Sequence, residues 1–528
     1  MKKNFLHVSF LLFNLLFTLL SFFCFNNIFL LELLTVTGFG LPFIIVILVI
    51  LLLLFTVADL LLWPYTAKPL TILVLFFNAI CFCFMNTYHV SIDKIMLLNA
   101  FQTDLAEVSD LLSFRLFLCL LAGALLPALL ISRIDIRFLP WRQELHHRLI
   151  RVFFSIIIIS AIIFPNYKYT AQFLRNHRHL KYDLLPVNYF GAVISAIQII
   201  YKKHHPLVRI GTDAVFFPYW NNHKPLLLVI VIGETARAQN FSLGGYPRDT
   251  NRDLAPWRNQ LLYFGNTSAC ATSTAVSLPC IFSAKGRRTF KPGSEAYTEN
   301  LLDIFQRVGY RVLWRENNSG CKNNCDRIKT ETFCSNYACK DEILLKDFIP
   351  TVKNLAGNTV IVLHQQGSHG PAYYQRYPDH FKRYTPVCTT ADLSHCLQDE
   401  IINAYDNSIA YTSYVLAQTI NLLNQLSADY NTLMLFVSDH GESLGEKGLY
   451  LHAAPYIIAP REQTQVPMLI WLSPANADAL KIDLSCARQK TAGRRSHDDI
   501  FHTLLGLGGI NTAEYQKNLD IFASCRKK

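Results

Sequence analysis

Residues 226–235 read LLLVIVIGET and residues 432–442 read TLMLFVSDHGE. Each is a short, unbroken apolar run rich in branched residues that stops abruptly at glycine, acids or histidine. Runs of that length and composition are strands buried on both faces, the habit of parallel sheets covered by helices. Working outward, 310–314, 359–363 and 466–472 repeat the apolar run, and amphipathic stretches at 299–307, 400–426 and 498–507 alternate with them. The expectation is an α/β domain over 225–528 with a central, mostly parallel sheet.

In open α/β sheets the chemistry collects where strands end and the chain turns toward the next helix. The first run ends in Gly233, Glu234 and Thr235. The second ends in Ser438, Asp439, His440, Gly441 and Glu442, and 359–363 leads into His364 and then Gly367, Ser368, His369, Gly370 and Pro371. Glu234, Asp439 and His440 offer two carboxylates and an imidazole, a mixed oxygen and nitrogen set that suits zinc better than magnesium or calcium. Neighbours in a strand point to opposite faces, so Asp439 and His440 converge only if the strand has already ended, which Gly441 permits. Any one of these acids alone would be an ordinary cap or surface ion pair; the three together make a metal site. Residues 270–280, CATSTAVSLPC, pack hydroxyls between two cysteines, as a rigidified nucleophile loop would. A helix opening there would aim free N–H groups at a phosphate. Spacing does not choose among Thr272, Ser273 and Thr274. Ser496, His497, Asp498 and Asp499 form another polar cluster, read here as a capped helix start with acids in its first turn.

The rest of the chain is more apolar than a soluble protein: 51% of its 528 residues are hydrophobic. Stretches able to cross a membrane lie at about 5–25, 41–62, 69–85, 114–131 and 149–164, giving an expected five-helix transmembrane domain over 1–165. No small-residue cleavage site follows the first, so it reads as an anchor. Lys2, Lys3, Lys68, Arg133, Arg137, Arg142, Arg148 and Arg151 fall on one side of five spans, which places the residues beyond the last span outside the cytoplasm. Residues 166–224 are basic, aromatic and broken by Pro186, Pro206 and Pro218, as expected of a bridge of interfacial helices. The net charge of +11 is concentrated beside the membrane and is read as membrane electrostatics, not nucleic-acid binding.

Ten of the 14 cysteines lie beyond Arg252, an even and clustered set suited to disulfides in an oxidising compartment. Short spacings favour bridges between Cys270 and Cys280 and between Cys388 and Cys396. Cys321, Cys325, Cys334 and Cys339 are expected to pair among themselves and not to form a zinc cluster.

Taken together, Gly-Glu-Thr at 233–235, Asn-Phe-Ser-Leu at 240–243, the 270–280 loop, Gly-Ser-His-Gly-Pro at 367–371 and Ser-Asp-His-Gly-Glu at 438–442 resemble the phosphoethanolamine transferases of Gram-negative inner membranes, in the alkaline phosphatase superfamily. Asn-Ala-Phe-Gln-Thr from Asn99 and the cysteine-rich stretch after Gly320 are similar to the lipid A-modifying branch. The resemblance implies an alkaline phosphatase/sulfatase-like soluble domain in the periplasm. It implies Thr274 as the nucleophile and Glu234, Thr274, Asp439 and His440 as ligands of Zn2+, one ion or two. It further implies that His369 and His452 contact the phosphoryl group, a second zinc or the leaving oxygen, and that Ser319 and Lys322 hold the phosphoethanolamine. Asn99, Thr103 and Glu107, spaced every four residues, would recruit the lipid. The implied donor is phosphatidylethanolamine and the acceptor a phosphate of lipid A. A core-sugar acceptor, or a phosphatase or phosphoglycerol transferase of the same superfamily, is the rival reading. No Cys-x-Pro-x-Arg sulfatase signature occurs, and the retained ligand set argues against a non-catalytic relative.

Overall fold

The computed structural model describes residues 6–88, 90–92, 96–97, 112–165, 178–201, 205–218, 220, 224–333, 339–391 and 393–527. The chain divides into two compact units, the first comprising Met1–Lys94 with Leu112–Val193 and the second Ile194–Lys528 with Ile95–Leu111.

In the first unit, Leu41–Leu61, Ala67–Tyr88, Phe114–Ser132 and Trp141–Ile163 are each long and apolar enough to cross a membrane. The expected N-terminal span is instead a pair of helices, Phe10–Phe25 and Asn27–Thr37, bent by 75° at Asn26; counted as one span it brings the total to five. Asn26 makes the break intelligible. Its side chain donates to Leu185 O (3.1 Å) and accepts from Leu185 N (2.7 Å), satisfying backbone outside its own helix. Apolar surface drives little association between helices in lipid, so polar side chains hold such bundles together. Asn78 donates to Ser21 Oγ (3.0 Å) and accepts from Tyr189 Oη (3.1 Å). Charges are paired where they are buried: Asp59 with Arg151 at 3.0 Å and Glu144 with Arg148 at 3.0 Å.

The second unit is built on an eight-stranded sheet. In chain order its strands are β1 (Leu226–Gly233), β2 (Leu261–Ser268), β3 (Arg311–Glu316), β4 (Lys329–Thr332), β5 (Thr359–His364), β6 (Asn431–Ser438), β7 (Gln465–Trp471) and β8 (Arg495–Ser496). They lie in the order β8-β2-β7-β6-β1-β5-β3-β4. Only β7 runs antiparallel to its neighbours, so the sheet is mixed and otherwise parallel. The unbroken apolar runs occupy its centre, where both faces are covered. Leu226, Leu228, Ile230 and Ile232 of β1 face a core containing Leu278 and Ile281 of α1 (Thr274–Ile281) and Phe501 and Leu504 of α3 (Asp498–Leu507). Leu227, Val229 and Val231 face the opposite core, against Ile409, Leu416 and Ile420 of α2 (Gln398–Leu426). Burying such side chains contributes roughly 1.5–3 kcal/mol each. The result is a platform of three layers in which the parallel central strands β6, β1 and β5 deliver their C-terminal ends to one edge.

Four disulfides are described: Cys270–Cys280, Cys321–Cys325, Cys388–Cys396 and Cys486–Cys525. Both short-spaced bridges are as expected, and the first two of the cysteine-rich stretch pair with each other. Cys339 is also disulfide-bonded, while Cys334 lies outside the described residues.

Candidate metal centre and nucleophile

Strand register brings the ligand-bearing ends together. Gly233 of β1 is level with Ser438 of β6, and Ile232 with His364 of β5, so Glu234 and Asp439 leave adjacent strands side by side. The turn after β1 is strained. Thr235 has φ 52°, a left-handed conformation unfavourable to a β-branched residue, and is fully buried. It is held there because its N–H donates to Asp439 Oδ1 (3.2 Å) and its carbonyl accepts from Tyr405 Oη (2.7 Å). On β6 the strand ends at Ser438, as convergence of Asp439 and His440 requires.

Gly441 is needed there for space and not for an unusual φ. A Cβ at this position would overlap Glu462 O and sit 3.0 Å from Glu462 C, both backbone atoms. Gly441→Ala must therefore displace the turn that carries both ligands. The expected outcome is loss of bound metal and at least about a hundredfold loss of activity, in line with the cost of a 1 Å misplacement at a catalytic centre, read by metal content alongside turnover.

Glu234, Asp439 and His440 are buried, and one ligand atom from each lies within 4.8 Å of the others. Asp439 Oδ2 is 3.3 Å from His440 Nε2 and has no hydrogen-bond partner despite its burial. A bare carboxylate oxygen in the interior is costly unless a cation accepts it, so the donor set fits a metal ion. His440 Nδ1 donates to Gly441 O (2.9 Å), which leaves Nε2 unprotonated and facing the acids. Burial lowers the His440 pKa to about 4, favouring the neutral form a ligand needs.

Thr274 enters this cluster directly. Its hydroxyl donates to Glu234 Oε1 (3.0 Å) and lies 3.2 Å from His440 Nε2. It is the first residue of α1, and the loop before it is closed by Cys270–Cys280. Neighbouring Ser273 Oγ is buried without a partner, and Thr272 Oγ1 is turned away to Ala454 O (2.6 Å). Geometry thus distinguishes among the three hydroxyls.

Around the cluster, the His369 and His452 rings are 5.3 Å apart, and His452 lies 4.5 Å from the His440 ring. His452 Nδ1 faces buried Glu442 at 3.3 Å. Burial, and then the charge of His452, hold the His369 imidazole well below its usual range; burial raises Glu442. Lys322 Nζ donates to Ser319 O (2.8 Å) and Oγ (3.0 Å) on a turn where Lys322 and Asn323 both have positive φ and Cys321 is bridged to Cys325. Asn99, Thr103 and Glu107 lie outside the described residues.

Three further residues position this site: Asn318 and Asp341, which the sequence reading did not single out, and His497, which it read only as part of a capped helix start. Asn318 donates to Glu234 Oε2 (2.9 Å) and to Gln365 O (2.8 Å), fixing the acid. Buried Asp341 accepts from the N–H groups of Gln366 (3.0 Å) and Gly367 (3.1 Å), shaping the turn after β5. His497 accepts from Cys270 N at Nδ1 (3.1 Å) and donates from Nε2 to Ser438 O (3.0 Å), tying the nucleophile loop to the ligand turn. The cluster around His497 is otherwise the capped helix start expected: Ser496 N donates to Asp499 Oδ2 (2.9 Å) and Asp498 N to Ser496 Oγ (3.1 Å). The only sequence signal for His497 was its place beside a predicted helix start.

Comparison with known proteins agrees with this architecture. Residues 47–201 match the family described as phosphoethanolamine transferase EptA/EptB, and residues 227–510 match the sulfatase family. Phosphoethanolamine transferase EptA of Escherichia coli strain K12 is 40% identical over 473 residues, covering 87% of this chain and 86% of that one. Phosphatidylethanolamine transferase Mcr-1 of Escherichia coli is 37% identical over 486 residues, with 87% and 86% covered. The structure of the integral membrane lipooligosaccharide phosphoethanolamine transferase A of Neisseria meningitidis superposes with a TM-score of 0.93 at 32% identity, over 99% of this chain and all of that one. Relatives 40% and 37% identical over 87% of the chain, with a multi-pass membrane segment and a sulfatase-type sheet, make this chain a member of the EptA/EptB phosphoethanolamine transferase family.

Proposed function

We propose that this chain transfers phosphoethanolamine from phosphatidylethanolamine to a phosphate of lipid A by two displacements at Thr274. The observation that carries the reading is the Thr274 hydroxyl placed between Glu234 Oε1 and His440 Nε2, at the opening of a helix. Residues 1–165 form the inner-membrane anchor, 166–224 a bridge, and 225–528 a periplasmic catalytic domain.

In the first displacement Thr274 releases its hydroxyl proton to solvent as Oγ attacks the donor phosphorus, the phosphorus–oxygen bond to diacylglycerol breaks, and that oxygen leaves with a proton. His452, backed by Glu442, is placed to supply it, and Lys322 with Ser319 holds the anionic headgroup. In the second, a lipid A phosphate oxygen attacks the phosphothreonine phosphorus, the phosphorus–oxygen bond to Thr274 breaks, and the released threonine oxygen takes up a proton from solvent to restore the hydroxyl. The free N–H groups opening α1 favour the negative charge that develops in both steps. Glu234, Thr274, Asp439 and His440 would hold zinc, which when bound lowers the pKa of the threonine hydroxyl and neutralises phosphoryl charge. Asn99, Thr103 and Glu107 would recruit the donor lipid.

The test is mass spectrometry of lipid A and of core oligosaccharide from cells making the chain. Phosphoethanolamine on lipid A supports the reading. Addition on core alone moves the acceptor, and addition nowhere leaves a hydrolase. Modified cells carry less negative charge and should bind cationic peptides less well. Metal dependence has its own expected outcome: chelation should remove zinc and activity together, zinc should restore both, and Asp439→Asn should lower zinc content as well as turnover, since ligand loss weakens affinity as well as catalysis. Full activity in zinc-free protein would refute the assignment.

A further inference from the structure

The loop that carries His452 has two very different ends. At its base it is nailed to the catalytic machinery: Ala453 N donates to Thr272 O (2.7 Å), Ala454 N to Gln463 Oε1 (3.1 Å), and Gln463 Nε2 to Leu451 O (3.1 Å). Leu451 and Ala453, on either side of His452, both have positive φ, so these bonds impose the shape. Four residues beyond His452, Tyr456 Oη donates to Ala269 O (3.0 Å), and the next two side chains project outward: Ile457 is 98% exposed and Ile458 50%.

A single exposed isoleucine is ordinary. This pair stands beside a second feature. Residues 284–293 read AKGRRTFKPG, with four cations, Lys285, Arg287, Arg288 and Lys291, all exposed, and no acid. The two segments meet where the Arg287 guanidinium lies 4.2 Å over the Tyr456 ring, while Arg287 N donates to Asp498 Oδ1 (2.8 Å). Beside the 269–272 segment that leads into Thr274, the surface therefore presents an apolar tip next to a cationic segment.

We propose that this patch, Ile457 and Ile458 with Lys285, Arg287, Arg288 and Lys291, is the docking surface for the acceptor lipid. The inference rests on the transferase reading above and adds where the second substrate sits. Charge chooses the occupant. The donor phosphatidylethanolamine is zwitterionic and offers a cationic patch little, whereas lipid A carries phosphate anions for the lysines and arginines and acyl chains for the isoleucines. The tip and His452 share one short loop whose base is bonded to Thr272, so a lipid engaged by the tip is held on the same loop that carries His452.

The test separates the two displacements in the full-length chain in detergent: diacylglycerol release from fluorescent phosphatidylethanolamine without acceptor, and phosphoethanolamine transfer to purified lipid A. Ile457→Ser with Ile458→Ser, and separately Lys285→Glu with Arg288→Glu, should each raise the apparent KM for lipid A about tenfold or more while diacylglycerol release stays unchanged. The charge variant should also lose the salt sensitivity of transfer. Unaltered transfer in both variants would overturn the proposal, and so would an equal fall in diacylglycerol release, which would make the loop merely a support for His452. A wild-type chain that releases diacylglycerol yet leaves lipid A unmodified would overturn the acceptor reading itself, and this surface with it.

Discussion

Thr274→Ala should leave the chain folded and still able to bind metal through Glu234, Asp439 and His440, yet with transfer reduced by at least about a thousandfold, the usual cost of deleting a covalent nucleophile. The hydroxyl reaches the cluster through Glu234 Oε1 at 3.0 Å and His440 Nε2 at 3.2 Å. Alanine keeps the helix start, and neither neighbouring hydroxyl is bonded to the cluster: Thr272 Oγ1 is turned to Ala454 O, and Ser273 Oγ is buried without a hydrogen bond to Glu234 or His440. Water is then the sole available nucleophile, so slow diacylglycerol release without phosphoethanolamine on lipid A is the characteristic residue of activity. Thr274→Ser restores the oxygen and should restore most of the transfer. The check is intact-mass detection of a phosphoethanolamine adduct in wild type and in Thr274→Ser, absent in Thr274→Ala, beside lipid A mass spectrometry. An adduct persisting in Thr274→Ala would move the nucleophile elsewhere.

How far this centre could be read from sequence depends on how local its determinants are. Glu234, Asp439 and His440 stood out because each follows directly on a central strand whose unbroken apolar run, buried on both faces, announces itself. The strands that were missed lack that signal. Leu261–Ser268 is only partly buried and carries Gly265, Asn266 and Ser268, and Lys329–Thr332 is mostly exposed. The reversal of Gln465–Trp471 has no sequence mark either, since a strand buried in a sheet reads alike in both directions. Disulfides followed the same rule: spacings of 10 and 8 residues were legible, while Cys486–Cys525, separated by 39, was not. Choosing Thr274 over Thr272 and Ser273 needed either a family resemblance or coordinates, because it turns on which hydroxyl faces His440, 166 residues away. The residues that position the ligands are long-range partners of backbone groups, and a backbone group has no identity in a sequence.

His497 is the sharpest instance, and its replacement carries the second large expected effect. It is 1% exposed and joins three segments: its N–H donates to Ser268 O (3.0 Å), its Nδ1 accepts from Cys270 N (3.1 Å), and its Nε2–H donates to Ser438 O (3.0 Å). Ser277 Oγ, one turn along the nucleophile helix, completes the link by donating to Asp439 O (2.5 Å). His497→Leu leaves two buried backbone groups unpaired, at about 1–3 kcal/mol each, so a destabilisation of roughly 2–5 kcal/mol is expected in thermal unfolding of the detergent-solubilised chain. A stability defect alone would mark any core residue. The distinguishing readout is partial rescue. An asparagine side chain places an acceptor near the position of Nδ1, and a glutamine side chain places a donor near that of Nε2. His497→Asn should therefore retain the bond to the nucleophile loop and His497→Gln the bond to the ligand turn. If the histidine sets the spacing between Thr274 and its partners, both variants should fold better than His497→Leu and still fall at least about tenfold in turnover at saturating donor. Protonation supplies an independent check. Burial lowers the His497 pKa to about 4 from an ordinary 6.5, so between those values the unfolded chain binds the proton and the folded chain does not. Its contribution to stability is complete above about 6.5, declines as pH falls, and is exhausted near 4, a difference of roughly 3 kcal/mol over the window. His497→Gln cannot take up that proton and should show a shallower loss of stability from about pH 6.5 to about 4 than wild type. An unchanged slope, together with wild-type turnover in both amide variants, would reduce His497 to ordinary packing.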